Sequence, residues 1–222
     1  MGGRNVLEGG VLVVGLGRFG SSLAESLERS GHEVLAVERR PELVQQWSGR
    51  LTHVVQAEST SEDAMRQLGA GDFDVAVVAI GTDLESSIVS TSVLVDIGIP
   101  NVWAKAITVP HGRILERVGA RHVVYPERDA GTRVAHLLTG KIIDFIEFDD
   151  GYAITKMRAP REAWGRTLGQ AALRSKYGVT VVGVKRRGQD FTYAQADTLV
   201  EEGDLLIVAA STEAAERFAA LT

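Results

Sequence analysis

Gly15, Gly17 and Gly20, with Arg18 and Phe19 between them, are the residues of this 222-residue chain whose types and spacing point most directly to chemistry. They close the apolar run Val11-Leu12-Val13-Val14 in the pattern G-x-G-x-x-G, and a helix-like segment, Ser21–Ser30, follows at once. A second apolar run, Val34–Val37, ends in the acid Glu38. Each residue type has a physical task. Gly15 makes the turn, Gly17 lets backbone approach a phosphate, and Gly20 lets helix and strand pack closely, while Glu38 is placed to accept hydrogen bonds from a ribose. Free N–H groups at the helix start favour an anion. The chemistry implied is the binding of a nucleotide or dinucleotide.

The elements that must hold these residues are legible as an alternation. Strand-like runs fall at Val11–Gly15, Val34–Val37, His53–Gln56, Val75–Ile80, Asn101–Lys105 and His122–Tyr125. Helical stretches lie between them at Ser21–Ser30, Pro41–Ser48, Ser61–Leu68, Leu84–Ile97 and Gly112–Val118. Several strands are apolar throughout, as expected when helices cover both faces of a parallel sheet. The pattern predicts an α/β, doubly wound parallel (Rossmann-like) domain over residues 9–128. Asp129–Ile143 then reads as a connecting helix, with Val134, Leu137 and Leu138 on one apolar side. Residues 144–222 change rhythm. Phe145–Phe148 and Ala153–Met157 flank a hairpin signal at Asp149-Asp150-Gly151. Leu168–Ser175 reads as a short helix, Val179–Lys185 and Thr192–Tyr193 as a second hairpin, Leu205–Ala209 as a core strand and Glu213–Leu221 as a closing helix. This is a smaller α+β domain.

Composition narrows the function classes. Apolar residues make up 45% of the chain and charged residues 24%, an ordinary globular balance. A net charge of −5 argues against a sequence-independent grip on nucleic-acid phosphates. No apolar stretch approaches the ~20 residues needed to span a bilayer, and no secretory signal is visible. The absence of cysteine removes thiol nucleophiles and Cys-based zinc sites, and fits a cytoplasmic protein.

A catalytic constellation is harder to find. The histidines at 32, 53, 111, 122 and 136 are scattered, without metal-ligand spacing. His111 stands out, in the loop after the fifth strand on the ligand-binding edge of the sheet. An NAD-dependent oxidoreductase would have it as proton donor. The C-terminal part is small for a substrate domain, so the chain reads as able to hold a nucleotide and poorly equipped to react it. An NAD(H)-responsive redox sensor on the same fold is a further open reading.

The motifs resemble the regulator-of-potassium-conductance (RCK, or KTN) domain. The likeness runs from Gly15–Gly20 and His32–Glu38 through Val77–Gly81, Pro100–Ala106 and Leu115–Ala120 to Tyr125–Gly131. It continues in the second domain through Leu173–Val182 and Asp197–Asp204, so that it covers nearly the whole chain. The nearest likeness within the family is to the cytosolic subunits of Ktr-type potassium uptake systems, with Trk-type subunits next. The resemblance implies a non-enzymatic, cytoplasmic ring, typically an octamer assembled from dimers, docked under a membrane-embedded potassium translocator. It further implies that ATP favours activity and ADP inactivity, and that some relatives bind cyclic di-AMP in the second domain.

The resemblance also marks residues. Arg18 is expected to sense the terminal phosphate, separating ATP from ADP by charge-assisted hydrogen bonds. Arg39 and Arg40 follow Glu38, and an arginine there can receive a 2′-phosphate, which Glu38 would repel. Glu58-Ser59-Thr60 departs from the usual Asp or Asn, Ala and Thr, and is expected near the adenine. Ile80-Gly81-Thr82 ends the fourth strand, with Gly81 allowing close backbone approach. Lys105, with Ala106 after it, is placed for a phosphate or an acidic neighbour. Glu127 is expected beside the phosphates, with Mg2+ or another cation between them, or else as a helix-start acid favoured by the dipole. Leu168 and Arg174 match cyclic di-AMP contact positions, but the sequence favours core packing for Leu168 and plain exposure for Arg174 over that role. Glu202-Gly203-Asp204 reads as a tight structural turn before a core strand.

Overall fold

The computed structural model describes residues 10–138, 141–148 and 151–222. The glycine-rich start over residues 1–9 and Asp149-Asp150 of the expected hairpin turn lie outside the described residues. The chain divides into two compact units, the break falling between Glu127 and Arg128.

In the first unit, β1 (Val11–Val14), β2 (Val34–Glu38), β3 (His53–Gln56), β4 (Val75–Val78), β5 (Asn101–Lys105) and β6 (His122–Val124) form one sheet in the order β3-β2-β1-β4-β5-β6. All its pairings are parallel, with β1 in register with β2 through Val11↔Val34 and with β4 through Val11↔Val75. The helices between are α1 (Arg18–Arg29), α2 (Pro41–Trp47), α3 (Glu62–Gln67), α4 (Leu84–Ile97) and α5 (Val109–Arg117). The continuous apolar runs find their reason here. Along β1, Val11 and Val13 feed a core with Leu16, Ala24 and Trp47, while Leu12 and Val14 feed one with Val78, Leu94 and Leu115 on the opposite face. Chain direction along the strand order reverses at β1, and such a reversal opens a crevice at the carboxyl ends of the strands.

The starts of α1 and α5 lie earlier than the sequence suggests, for local reasons. Gly17 takes the N-cap position, so α1 begins at Arg18 rather than Ser21. Thr108 caps α5 by accepting from the His111 N–H, and Pro110 suits the first turn, so α5 begins at Val109 rather than Gly112. Among the described residues no helix is long and apolar enough to cross a membrane.

The remaining elements begin with α6 (Pro126–Leu138) and β7 (Ile142–Phe148). The helix expected over Asp129–Ile143 therefore needs correcting: Ile142 and Ile143 open a strand. Ile142 and Phe145 are buried, and β7 pairs with β8 (Tyr152–Arg158) through Ile146↔Ile154 and Phe148↔Tyr152. Sheet pairing outweighs the helical spacing there. Next come β9 (Arg166–Thr167), α7 (Leu168–Ala171) and α8 (Leu173–Tyr177). The single helix expected over Leu168–Ser175 is broken at Ala172, which adopts a left-handed φ of 53°. Then follow β10 (Thr180–Lys185), β11 (Phe191–Tyr193), β12 (Leu199–Val200), β13 (Leu205–Ser211) and α9 (Thr212–Ala219).

The five-stranded sheet runs β11-β10-β13-β8-β7, antiparallel throughout, and its core includes Met157, Leu206, Val208 and Phe218. The turn before β13 is structural, as the sequence suggests. The buried Asp204 accepts from Arg186 Nε and Nη2, both at 3.1 Å, and from the Glu201 N–H at 2.8 Å. Its charge is thereby satisfied inside the fold.

Candidate functional site

The crevice at the carboxyl ends of β1, β2, β4 and β5 is a cleft of about 530 Å3, within the range typical of small-molecule sites. It is lined by Gly15, Gly17, Arg18, Phe19, Glu38, Arg39, Arg40, Glu58, Ser59, Ile80, Gly81, Thr82, Lys105 and Glu127. These come from the carboxyl ends of six strands and the segments that follow them, far apart in sequence. Among the other lining residues, Asp83, Ser86 and Ile107 were not legible as site residues. Their position after β4 and β5 was the one available signal.

The three motif glycines are glycine for three different reasons. Gly15 has a φ of 92°, which side chains on an L residue resist. A Cβ on Gly20 would lie 1.9 Å from the Gly15 carbonyl oxygen and 2.9 Å from Ala79 Cβ, so this position is a helix-to-strand contact. Gly20 itself lies outside the cleft lining. Gly17 is different: its φ of −67° suits any residue, and a Cβ would meet no atom within 4 Å beyond its chain neighbours. The space kept free faces the cleft, which is what an anion approaching the α1 N-terminus requires.

The charges in the cleft are organised in pairs. Glu38, only 5% exposed, accepts the Leu16 N–H at 2.8 Å, the Arg40 N–H at 3.0 Å and Arg40 Nε at 3.1 Å. Burial alone would push the Glu38 carboxyl up, but the Arg40 side chain and these amides outweigh it and hold it below the usual carboxylate range. Arg39 pairs with Asp83 at 3.6 Å. Lys105, buried, donates to Glu127 Oε1 at 2.6 Å and sits over the Phe19 ring at 5.8 Å. That hydrogen bond chiefly holds the Glu127 carboxyl down, with Arg18 adding a smaller pull. Arg18, exposed on the first residue of α1, has no ion-pair partner among the described residues. Of the four cations in the cleft it is the one left available to a ligand anion.

Other sequence expectations find different places. Ser59 is buried and its hydroxyl lies 2.8 Å from Ser90 Oγ on α4, so it braces the wall of the cleft. Ala106 is a buried core residue outside the lining. His111 is not on an open loop edge. It lies in the first turn of α5, 3% exposed and outside the cleft lining, which removes it as a proton donor to a bound ligand. Among the described residues, no three His, Asp or Glu side chains stand together as a metal site. Glu127 offers a single carboxylate, and a lysine ammonium already holds it. Leu168 packs against the core of the second unit and Arg174 is exposed on α8.

His111 has a consequence for acid stability. Its Nδ1 accepts from the Ile107 N–H at 3.4 Å, while Nε2 is buried without a partner among the described residues. Burial pushes this imidazole below its ordinary value. The unfolded chain then binds the proton more readily, so the contribution is complete above the unfolded histidine value and declines as pH falls below it. Stability of the first unit is expected to drop from pH 7 to 5, and His111→Gln to flatten that slope in denaturant titrations. Parallel slopes in the two proteins would exclude His111 as the cause.

Comparison with known proteins places the chain. A TrkA-N domain model matches residues 11–126 and a TrkA-C domain model residues 158–222. The chain is 34% identical over 207 residues to Ktr system potassium uptake protein A of Bacillus subtilis (strain 168), covering 93% of each. It is 36% identical over 197 residues to the Ktr system potassium uptake protein A of Vibrio alginolyticus, covering 88% of this chain and 90% of the other. The GsuK RCK domain crystal structure shares the fold, with a TM-score of 0.64 at 19% identity over 96% of this chain and 47% of its own.

Proposed function

The chain belongs to the family of potassium uptake proteins that carry TrkA-N and TrkA-C domains, and from that premise we propose that it is a cytoplasmic regulatory subunit switched by ATP against ADP. The observation that carries this reading is the charge arrangement of the cleft. Three of its cations are bound to acids, and Arg18 stands unpaired among the described residues at the start of α1, where phosphates are drawn.

In this reading Glu38 takes the ribose, Gly17 and the α1 N–H groups take the first phosphates, and Lys105 and Arg18 bracket the terminal one. Glu58 and Thr82 lie at the base and ribose walls. Glu127 is the carboxylate that would hold a cation accompanying a triphosphate, and that cation would there offset phosphate charge. The protein acts by binding, not by turnover. Its partner is the membrane-embedded potassium translocator, and its own assembly is an octameric ring built from dimers. Exposed Leu84 and Val89 on α4, with Ile107, Val109 and Ile114 at α5, support assembly with further copies. Leu168 and Arg174 are the cyclic di-AMP contacts proposed in the second unit.

Switching requires the two ring states to differ in their affinity for the ligand. Moving an equilibrium from 1:99 to 99:1 takes about 5.5 kcal/mol in total. Spread over eight sites this is below about 1 kcal/mol each, within the reach of one charge-assisted hydrogen bond.

Calorimetric titration of nucleotide-stripped protein with ATP, ADP, NADH and NAD, each with and without magnesium, tests the reading. Both ATP and ADP are expected to bind, with magnesium separating them. Much tighter binding of NADH would overturn it in favour of a redox sensor, whose dinucleotide Glu38 serves equally well.

A further inference from the structure

The carboxylate that receives the ribose is already fully engaged, and the group engaging it faces solvent. A carboxylate has about four lone-pair sites. On Glu38, Oε1 accepts the Arg40 N–H at 3.0 Å and Arg40 Nε at 3.1 Å, while Oε2 accepts the Leu16 N–H at 2.8 Å and Arg40 Nη2 at 3.5 Å. The two amide bonds are built into the backbone at the ends of β1 and β2 and cannot leave without unmaking the glycine turn. The two guanidinium bonds can. The Arg40 side chain is 55% exposed over a carboxylate that is 5% exposed, so it forms the lid of the ribose end. The positive charge keeps a favourable neighbour in Glu42.

We infer that Arg40 is a latch that competes with the ribose diol for Glu38, and so sets how tightly any diol-bearing nucleotide is held. The inference rests on the adenine-nucleotide reading of the cleft and adds a determinant of affinity to it. A ribose presenting two hydroxyls needs the two acceptor positions that Nε and Nη2 occupy. Only the fraction of molecules with the guanidinium swung out is competent to receive it, and the apparent dissociation constant rises by that factor. Arg40 therefore acts against a bound anion at this end of the cleft, although its charge alone would attract one. A half-exposed ion pair sets the size of the effect at about two- to fivefold. Because the phosphates lie at the Arg18 and Lys105 end, the latch weakens ATP and ADP alike and leaves their ratio unchanged.

The test is calorimetric titration of the full chain and of its Arg40→Gln variant with ADP and with 2′,3′-dideoxy-ADP, which has no hydroxyl to compete. Arg40→Gln is expected to bind ADP about two- to fivefold tighter and the dideoxy nucleotide as the parent does. Arg40→Lys keeps the charge but cannot bridge both oxygens, and is expected to fall between; it also serves if Arg40→Gln does not fold. Weaker or unchanged ADP binding in the variants overturns the latch, as does equal tightening of both nucleotides. Binding of NADH but not ADP by the parent chain would overturn the ATP/ADP reading alone, and the latch is then read on the adenosine ribose of NADH. A parent chain that binds neither overturns both.

Discussion

Gly20→Ala is expected to cost the first unit about 3 kcal/mol and to lower its melting temperature by roughly 10 °C. The added methyl would lie 1.9 Å from the Gly15 carbonyl oxygen and 2.9 Å from Ala79 Cβ. The first of these is backbone and cannot rotate away, so α1 must shift off β1 and take the N–H groups of its first turn with it. Nucleotide affinity is expected to fall more than tenfold along with stability. Gly17→Ala isolates the second effect. Its backbone is already in a conformation open to alanine and no atom beyond its chain neighbours lies within 4 Å of the added Cβ, so it is expected to melt like the parent chain. It should nonetheless lose affinity, because the methyl enters the space a phosphate would use. Differential scanning calorimetry of both variants, with nucleotide titration, separates the two. A Gly20→Ala chain that melts within about 2 °C of the parent would refute the close-packing account, and a Gly17→Ala chain that binds normally would move the phosphates elsewhere.

The second large effect is expected at Arg18. Truncation to alanine removes the cleft's unpaired cation without uncovering a buried acid, since its guanidinium makes no ion pair with a described residue. Fold stability should therefore hardly change. ATP affinity is expected to fall about tenfold or more, the value of one charge-assisted hydrogen bond to a terminal phosphate, while ADP affinity stays within about twofold. Equal losses for the two nucleotides in parallel titrations would remove Arg18 from terminal-phosphate sensing. Lys105 is the poorer place to look for that discrimination. It is bound to Glu127 at 2.6 Å, and changing it strands a carboxylate as well as removing a cation.

Much of the first unit was legible because its periodicities leave little freedom. A strand such as Val11–Val14, buried on both faces, needs apolar residues at every position, and a turn with positive φ at position 15 needs glycine. A carboxylate at the end of the second strand follows from the same local order. The second unit was less legible, since its elements are short and their identity is settled by partners. Ile142 and Ile143 fit a helical stripe as well as a strand, and pairing of β7 with β8 decides between them. Ala172 carries no local signal for the left-handed turn it adopts between α7 and α8. The two-residue pairing of β9 with β12 joins Arg166-Thr167 to Leu199-Val200, a contact no local pattern announces.

The cleft divides along the same line. Composition and spacing by themselves determined the glycine turn, the carboxylate at the end of the second strand and the succession of parallel strands, because each depends on contacts within one βαβ unit. Tertiary structure alone decided how the charges are shared. Asp83 reaches Arg39 only because β4 lies beside β1 in the sheet order. Lys105 reaches Glu127 only because β5 and β6 are neighbours. His111 turns inward because Thr108 starts its helix early and carries the imidazole into the fold. The strength of a charge in a cleft depends on which other charges stand within a few ångströms, and that distance is set by packing between segments far apart in the chain.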